Sequence, residues 1–108
     1  GFLYNPVTQS FGVSVEADLP FLTVVFNNGN YEAMRRNHLH YYPEGAALSS
    51  GIYHGVHIPG PDYQKLVEPF GGHGERVEDP GQLIPALERG LKAVQDGKMA
   101  IMDVVLSI

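Results

Sequence analysis

The chain has 108 residues, of which 44% are hydrophobic and 18% charged, a composition typical of one globular domain. Its formal net charge is −5 and it has no basic cluster, so we expect neither nucleic acid nor a membrane surface as a partner. Cysteine is absent, which excludes disulfides and thiolate chemistry and is compatible with a reducing, cytoplasmic location. No apolar run approaches the ~18 residues of a membrane-spanning helix.

The first predicted element is a helix that ends near Ala17. Asn5, followed by proline, is a favourable N-cap. Val7, Phe11 and Val15 then recur at spacings of four, which predicts that these three side chains form one apolar, buried face.

The first predicted strand, Phe21–Phe26, is uncharged and rich in valine and phenylalanine, which is typical of a fully buried strand. It stops at Asn-Asn-Gly-Asn, a run of turn formers whose oxygens are hard metal ligands. Open α/β sheets bind ligands beyond the carboxyl ends of their parallel strands. We therefore expect the chemistry at Asn27–Tyr31, although the same residues are also compatible with a plain turn.

The middle of the chain is predicted to contain a short helix, Tyr31–Arg36, and then a long loop, His38–Gly60, which shows no clear apolar period. Apolar residues at i, i+3, i+4 and i+7 predict a helix over Tyr63–Phe70 that a glycine pair ends. Two further strands are predicted at His73–Val77 and Met99–Leu106.

The last predicted helix lies between those two strands and begins near Asp79, where Asp-Pro-Gly-Gln resembles a capping box. Glu88 and Lys92 are expected to pair on its exposed side. Its buried face is predicted to carry Leu83, Leu87 and Val94. Because helices separate the strands, the alternation predicts an α/β fold with a parallel sheet and right-handed crossovers.

Several segments together resemble a known family. Phe2–Pro6, a helix, Leu19-Pro20, a hydrophobic strand and Asn27–Gly29 are similar to the thiamine-diphosphate-binding domain of the acetolactate synthase and benzoylformate decarboxylase family. Glu75–Pro80 before a helix and the final strand Ala100–Val105 fit the same pattern. The resemblance covers nearly all of residues 1–108. It implies the C-terminal portion of a thiamine-diphosphate-binding domain, with a three-layer α/β/α architecture.

The resemblance also implies a Mg²⁺ site. In the family, the metal is held by the aspartate of a Gly-Asp-Gly motif, by the second asparagine of Asn-Asn and by a carbonyl two residues further on. These last two positions are Asn28 and Asn30. Asn27 would brace the turn, and Gly29 would allow its tight backbone path. The metal-binding aspartate is expected to precede Gly1, outside this sequence.

Contacts with thiamine diphosphate are implied for Gly1 and Phe2, through their backbone N–H groups, and for Tyr31 and Ala33. Met34 would face the reacting carbon of the substrate, or else be a packed helix residue. No catalytic residue is expected in this portion, because the family's activating glutamate lies in another domain, usually across a subunit interface.

The implied function is the cofactor-binding portion of a thiamine-diphosphate-dependent 2-keto acid decarboxylase or acetolactate-synthase-like carboligase. The resemblance implies that the remaining domains of the same chain and a homodimer or homotetramer complete the enzyme. Two alternatives stay open: a non-catalytic binding module that has lost the cofactor, and a fragment that persists only as a packing unit.

Two groups of side chains have more than one interpretation. Arg35 and Arg36 could clamp a substrate carboxylate or form a solvated pair. His73 is expected to open a strand. Four histidines of the predicted loop could hold Zn²⁺, edge a substrate pocket or lie on the surface, namely His38, His40, His54 and His57.

Overall fold

A computed structural model of the chain describes residues 7–58 and 60–106, so the predicted cap at Asn5 lies outside the described residues. The described elements are, in chain order, α1 (Val7–Ala17), β1 (Leu22–Asn27), α2 (Glu32–Tyr41), α3 (Ala46–Ser50), a 3₁₀ helix (Tyr63–Phe70), β2 (His73–Val77), a short 3₁₀ turn (Pro80–Gln82), α4 (Leu83–Gln95) and β3 (Ala100–Val105). Among these residues, every helix falls short of the length and apolarity needed to cross a bilayer.

The chain divides into two compact units. We call the first the sheet unit, which contains the described residues up to Asn28 and from Pro61 onward. We call the second the helical unit, Gly29–Gly60. All three strands belong to the sheet unit, and α2 and α3 belong to the helical unit.

The sheet has the strand order β1-β3-β2, and both pairings are parallel. Leu22 of β1 lies opposite Ala100 of β3, and the register continues to Asn27 opposite Val105. On the other side of β3, His73 is also paired with Ala100, and it opens β2 as predicted. The predicted α/β fold with a parallel sheet is therefore confirmed.

The centre of the sheet unit is β3, whose side chains enter apolar clusters on both faces of the sheet. One cluster joins α1 and the 3₁₀ helix to the sheet through Phe11, Val67, Met99 and Ile101. The other joins α4 to β2 and β3 through Val77, Ala86, Met102 and Val104, with Leu83 and Leu87 packed against it. Helices thus cover both faces, as expected for a three-layer arrangement.

The prediction that the first strand is fully buried is wrong. Val24 is 36% exposed and Phe26 72% exposed, whereas Leu22 packs on the cluster beneath α4. These three residues are two positions apart along β1, so their side chains lie on the same face of the strand. Leu22 packs closely against α4 beside Gly90. An uncharged apolar run therefore predicts a strand, but it does not show which of the strand's side chains a helix covers.

The first helix ends at Ala17 as predicted, and Phe11 is fully buried. Val15, however, is 57% exposed, so its predicted place on the buried face is wrong. Each spacing of four residues advances the side chain by ~40° around a helix, which carries Val15 away from the core. Ser14 is buried instead, and its hydroxyl donates to the Leu19 carbonyl at 2.6 Å.

The predicted helix at Tyr63–Phe70 forms, but as a 3₁₀ helix that ends at Gly71 with φ of 70°. Pro69 lies inside it and has no N–H to donate to an α-helical bond. The backbone of this helix rests directly on β2 at Gly74, where a side chain would overlap the carbonyl oxygen of Gln64.

The cap of the last helix is confirmed: the Asp79 side chain accepts from the N–H of Gly81 at 2.9 Å, in a 3₁₀ turn that leads into α4. The predicted ion pair between Glu88 and Lys92 is wrong. Lys92 has carboxylates four residues away on both sides, and its Nζ lies 2.5 Å from Asp96 at the helix C-terminus.

The predicted loop His38–Gly60 is partly wrong, because α2 continues to Tyr41 and α3 spans Ala46–Ser50. Neither helix contains a buried residue. The helical unit thus has regular structure without the apolar periodicity that would have predicted it.

Candidate functional site

The asparagine loop begins at the carboxyl end of β1. Asn27 is the last residue of the strand, and its carbonyl accepts from the Leu106 N–H at 2.8 Å. Asn28 follows it, half-buried, as the last residue of this segment of the sheet unit. Both asparagines therefore lie at the carboxyl end of β1, which is the end of the strands where α/β folds place ligands.

The next residues start the helical unit. Gly29 has φ of 65°, in the left-handed region that favours glycine. Two hydrogen bonds fix the loop within this unit: the Gly29 carbonyl accepts from Ile58, and the Tyr31 N–H donates to the Val56 carbonyl, both at 2.8 Å. The two bonds hold the segment around Gly29 against residues 56–58.

Between those bonds, Asn30 and His57 form an antiparallel bridge. His57 Nδ1 lies 3.3 Å from the side-chain oxygen of Asn30. With Nδ1 protonated, the imidazole donates to this oxygen. The contact joins residues 27 positions apart, so no local sequence pattern signals it.

These features fit the donor set implied for Mg²⁺. Amide and carbonyl oxygens are hard ligands, as this cation prefers. His57 engages the Asn30 side chain, which is consistent with a backbone carbonyl, rather than that side chain, as the ligand at this position. Gly29 also meets the backbone requirement, since a side chain there would be strained at its positive φ.

The residues implied to lie beside the cofactor cluster at the start of α2. Tyr31 occupies the N-cap position of that helix, and Ala33 is exposed in its first turn. Met34 is 63% exposed, so the alternative of a packed helix residue is wrong. Gly1 and Phe2 lie outside the described residues.

Arg35 and Arg36 are both bound by Glu32. Its carboxylate lies 2.5 Å from Arg35 and 3.3 Å from Arg36. The hydrogen bond from Arg35 holds the pKa of Glu32 below its usual value, and Glu32 in turn raises the pKa of Arg35. The arginines are thus partly neutralised within α2, which argues against their role as a clamp for a substrate carboxylate.

The helical unit also contains a cleft of about 330 Å³. Its lining combines aliphatic side chains, one tyrosine and two of the histidines: Met34, His38, Ala47, Ile52, Tyr53, His54 and Val56. The described residues bring together no group of three His, Cys, Asp or Glu side chains suited to a metal. The zinc interpretation of the histidines therefore finds no support there.

The sheet unit contains a partly buried ion pair that was not predicted from the sequence. Asp103 is fully buried in β3, and its Oδ2 lies 3.0 Å from Arg76 on β2. The other oxygen, Oδ1, has no hydrogen-bond partner among the described residues. The signal was present, because a single charge interrupts the otherwise apolar strand Ala100–Val105.

Comparison with known proteins identifies the family. Residues 1–104 match the sequence model of the thiamine pyrophosphate enzyme C-terminal TPP-binding domain, where TPP is thiamine diphosphate. The chain is 30% identical over 93 residues to acetolactate synthase of Bacillus subtilis (strain 168), an alignment that covers 86% of this chain and 15% of that protein. It is 33% identical over 96 residues to 2-hydroxyacyl-CoA lyase of Oryza sativa subsp. japonica, with 85% and 15% covered.

The chain thus spans about one seventh of the length of these two relatives. The family match covers all the strands of the parallel sheet almost to the end of β3, and it includes the asparagine loop. The sequence resemblance is therefore confirmed, and the chain belongs to the family of C-terminal TPP-binding domains of thiamine pyrophosphate enzymes.

Proposed function

We propose that this chain is the cofactor-binding portion of a thiamine-diphosphate-dependent enzyme that decarboxylates a 2-keto acid or transfers the resulting acyl unit to a second carbonyl. The main support is the family match over residues 1–104, which includes the asparagine loop at the carboxyl end of β1. When bound, thiamine diphosphate supplies a nucleophilic carbon and an electron sink for breaking the bond next to a carbonyl. This portion's task is to bind and orient the cofactor.

In this proposal, Asn28 binds Mg²⁺ through its side-chain oxygen and Asn30 through its backbone carbonyl. Mg²⁺ requires near-octahedral oxygen coordination and keeps several waters, so few protein ligands suffice. Asn27 and Gly29 shape the loop. The residues proposed to contact the cofactor itself are Gly1, Phe2, Tyr31 and Ala33. Met34 is proposed to face the substrate.

The charges around α2 support the proposal of a metal. The diphosphate carries several negative charges, and burying them without compensation is costly. Arg35 and Arg36 share the carboxylate of Glu32, and the helical unit has no lysine. A divalent cation is therefore the effective counter-charge that this segment can recruit.

The rest of the enzyme is proposed to come from elsewhere. The family's aspartate ligand and its activating glutamate are expected in other parts of the full-length chain, with the glutamate supplied across a homodimer or homotetramer interface. The chain's 15% share of its relatives' length is consistent with this view.

Isothermal titration of the full-length protein with Mg²⁺ and thiamine diphosphate tests the proposal. Asn28→Ala should weaken cofactor binding by about tenfold or more, on the scale of ~1.4 kcal/mol per decade, because one metal ligand is lost. Asn37→Ala, at an exposed position on α2, is the matched control and should leave the affinity unchanged.

Two outcomes would contradict the proposal in different ways. Unchanged affinity in Asn28→Ala would show that the metal site is misplaced. Absence of cofactor binding by the wild-type full-length protein would instead support a non-catalytic module. The isolated 108-residue chain should bind the cofactor weakly, and micromolar binding by it would show that the expected external aspartate is not needed.

A further inference from the structure

The sheet unit has an uncovered apolar surface on the side of the sheet that carries α4. Val24 and Phe26 of β1 lie on this side, because they share a face with Leu22, which packs in the cluster beneath α4. Both side chains are exposed. From Leu22 to Phe26 this apolar row is about 13 Å long, at ~3.3 Å per strand residue.

A second apolar row runs along one flank of α4. Ile84 and Leu91 are 63% and 52% exposed, and their spacing of two helical turns places them on the same flank, ~10 Å apart. Arg89 lies about 140–160° around the helix from both of them, and its guanidinium reaches Glu75 of β2. Because α4 turns Arg89 toward β2, the flank that carries Ile84 and Leu91 faces the other way, toward β1.

The spacing of the layers indicates which kind of element fits beside α4. This helix packs on Val77 of β2 and Met102 of β3, so its axis lies over those two strands. Strands are ~4.8 Å apart, which places β1 about 7 Å from the line midway between β2 and β3. Packed helices have axes about 8–10 Å apart, so the next helix of this layer would lie over β1 and its outer edge. The two apolar rows thus form the floor and the wall of one groove, which we call the β1 groove.

We propose that an amphipathic helix from another part of the same full-length polypeptide lies in the β1 groove beside α4. The inference rests on that part of the proposed function in which this chain is a portion of a longer enzyme, as its 15% share of the relatives' length supports. A helix that continues the layer of α4 belongs to the domain's own core, which favours the same polypeptide over a second copy as its source.

The lining of the β1 groove determines the chemistry of this helix. Val24, Phe26, Ile84 and Leu91 are all uncharged, so the helix must present apolar residues at i, i+3 or i+4 and i+7 over at least two turns. Docking is favourable because it removes these exposed side chains from water. Since Phe26 immediately precedes Asn27, the docked helix would also hold the strand end at which the asparagine loop begins.

Photo-crosslinking in the full-length protein tests the proposal. The photoreactive residue p-benzoylphenylalanine replaces Phe26 in one variant and Lys92, on the solvent side of α4, in the matched control. Irradiation of the first variant should give a product of single-chain mass in which position 26 is joined to a peptide outside residues 1–108. The control should give no such product. A product with the mass of two chains would show a second copy in the groove, and absence of any crosslink from position 26 would show an open groove; either result would overturn the inference.

Maleimide labelling of Leu91→Cys and Lys92→Cys provides a second measurement that does not depend on tolerance of a larger side chain. Mass spectrometry of the labelled peptide gives each rate. In the native full-length protein, Leu91→Cys should react at least about tenfold more slowly than Lys92→Cys, because the docked helix must open first, and the two rates should be equal in concentrated urea. Equal native rates would overturn the inference.

The outcomes separate this inference from the proposed function. A full-length protein that binds thiamine diphosphate, but shows equal labelling rates and no crosslink, would overturn the inference and leave the proposed function standing. A protein that shows the crosslink but binds no cofactor would confirm the helix in the β1 groove and refute the proposed function.

Discussion

Gly74 is the position where one substitution should most disturb the sheet unit. A Cβ built on this residue would overlap the carbonyl oxygen of Gln64 and lie 2.7 Å from its carbonyl carbon. The obstacle is backbone, which no change of rotamer can move. Gly74→Ala must therefore displace the 3₁₀ helix from β2, together with Val67, which is fully buried in that helix.

Overpacking a core typically lowers the free energy of unfolding by ~1–3 kcal/mol. We expect Gly74→Ala to lower it by about 3 kcal/mol, because the clash is with a backbone carbonyl group. A domain of this size has a total stability of about 5–15 kcal/mol, so the loss is a large fraction of it. Urea unfolding of the 108-residue chain, followed by circular dichroism, measures the change as a shift of the midpoint.

Gly12→Ala is the matched control, since it makes the same chemical change in a different setting. Gly12 lies within α1, and a Cβ there would meet nothing within 4 Å. Alanine in a helix interior is favoured over glycine by about 0.8–1 kcal/mol, so this variant should gain stability. A Gly74→Ala midpoint equal to or above that of the wild type would refute the packing argument.

Two further predictions concern the sheet unit. Arg89 donates hydrogen bonds to the Glu75 carboxylate, which lowers the pKa of Glu75 in the folded state. The pair therefore stabilises the fold fully at pH values above the unfolded-state pKa of Glu75. This stabilisation is lost as the pH falls through the lower folded-state pKa. Arg89→Gln should therefore lower the midpoint of urea unfolding at pH 7, but it should leave the midpoint unchanged near pH 2. If the midpoints of the variant and the wild type showed the same dependence on pH, this prediction would be refuted. Met102→Ala should lower the free energy of unfolding by ~2–5 kcal/mol, because Met102 is 1% exposed. Met34→Ala, at an exposed site, should change it by no more than about 0.5 kcal/mol. Equal unfolding midpoints for the two variants would refute the burial argument.

The sheet was predictable from the sequence because its signals are local. Each strand is a short apolar or β-prone run, and helical segments separate successive strands, which requires parallel crossovers. Burial was less predictable, as β1 shows. Phe26 is as apolar as its neighbours, yet it is 72% exposed, because cover depends on where α4 lies rather than on the strand's own residues.

The helical unit shows the complementary case. Its helices have no buried face, so apolar periodicity did not predict the second half of α2 or any of α3. A charge signal did exist, since Glu32 precedes Arg35 and Arg36 by three and four residues, the spacing that stabilises a helix. The bridge between Asn30 and His57 had no such signal, because it depends on tertiary structure alone.

The proposed site also explains why asparagines, rather than carboxylates, suit positions 27–30. In the helical unit, Glu32 and Glu44 balance Arg35 and Arg36, so this segment brings no net formal charge to the diphosphate. Amide and carbonyl ligands are neutral, so in the proposed site only the expected external aspartate would offset the charge of Mg²⁺, and a net positive charge would remain for the cofactor. Aspartates at the same positions would bind the metal more strongly but cancel that charge and repel the diphosphate at short range. On this reasoning, the polar but uncharged loop matches a site in which the metal's main partner is an anion.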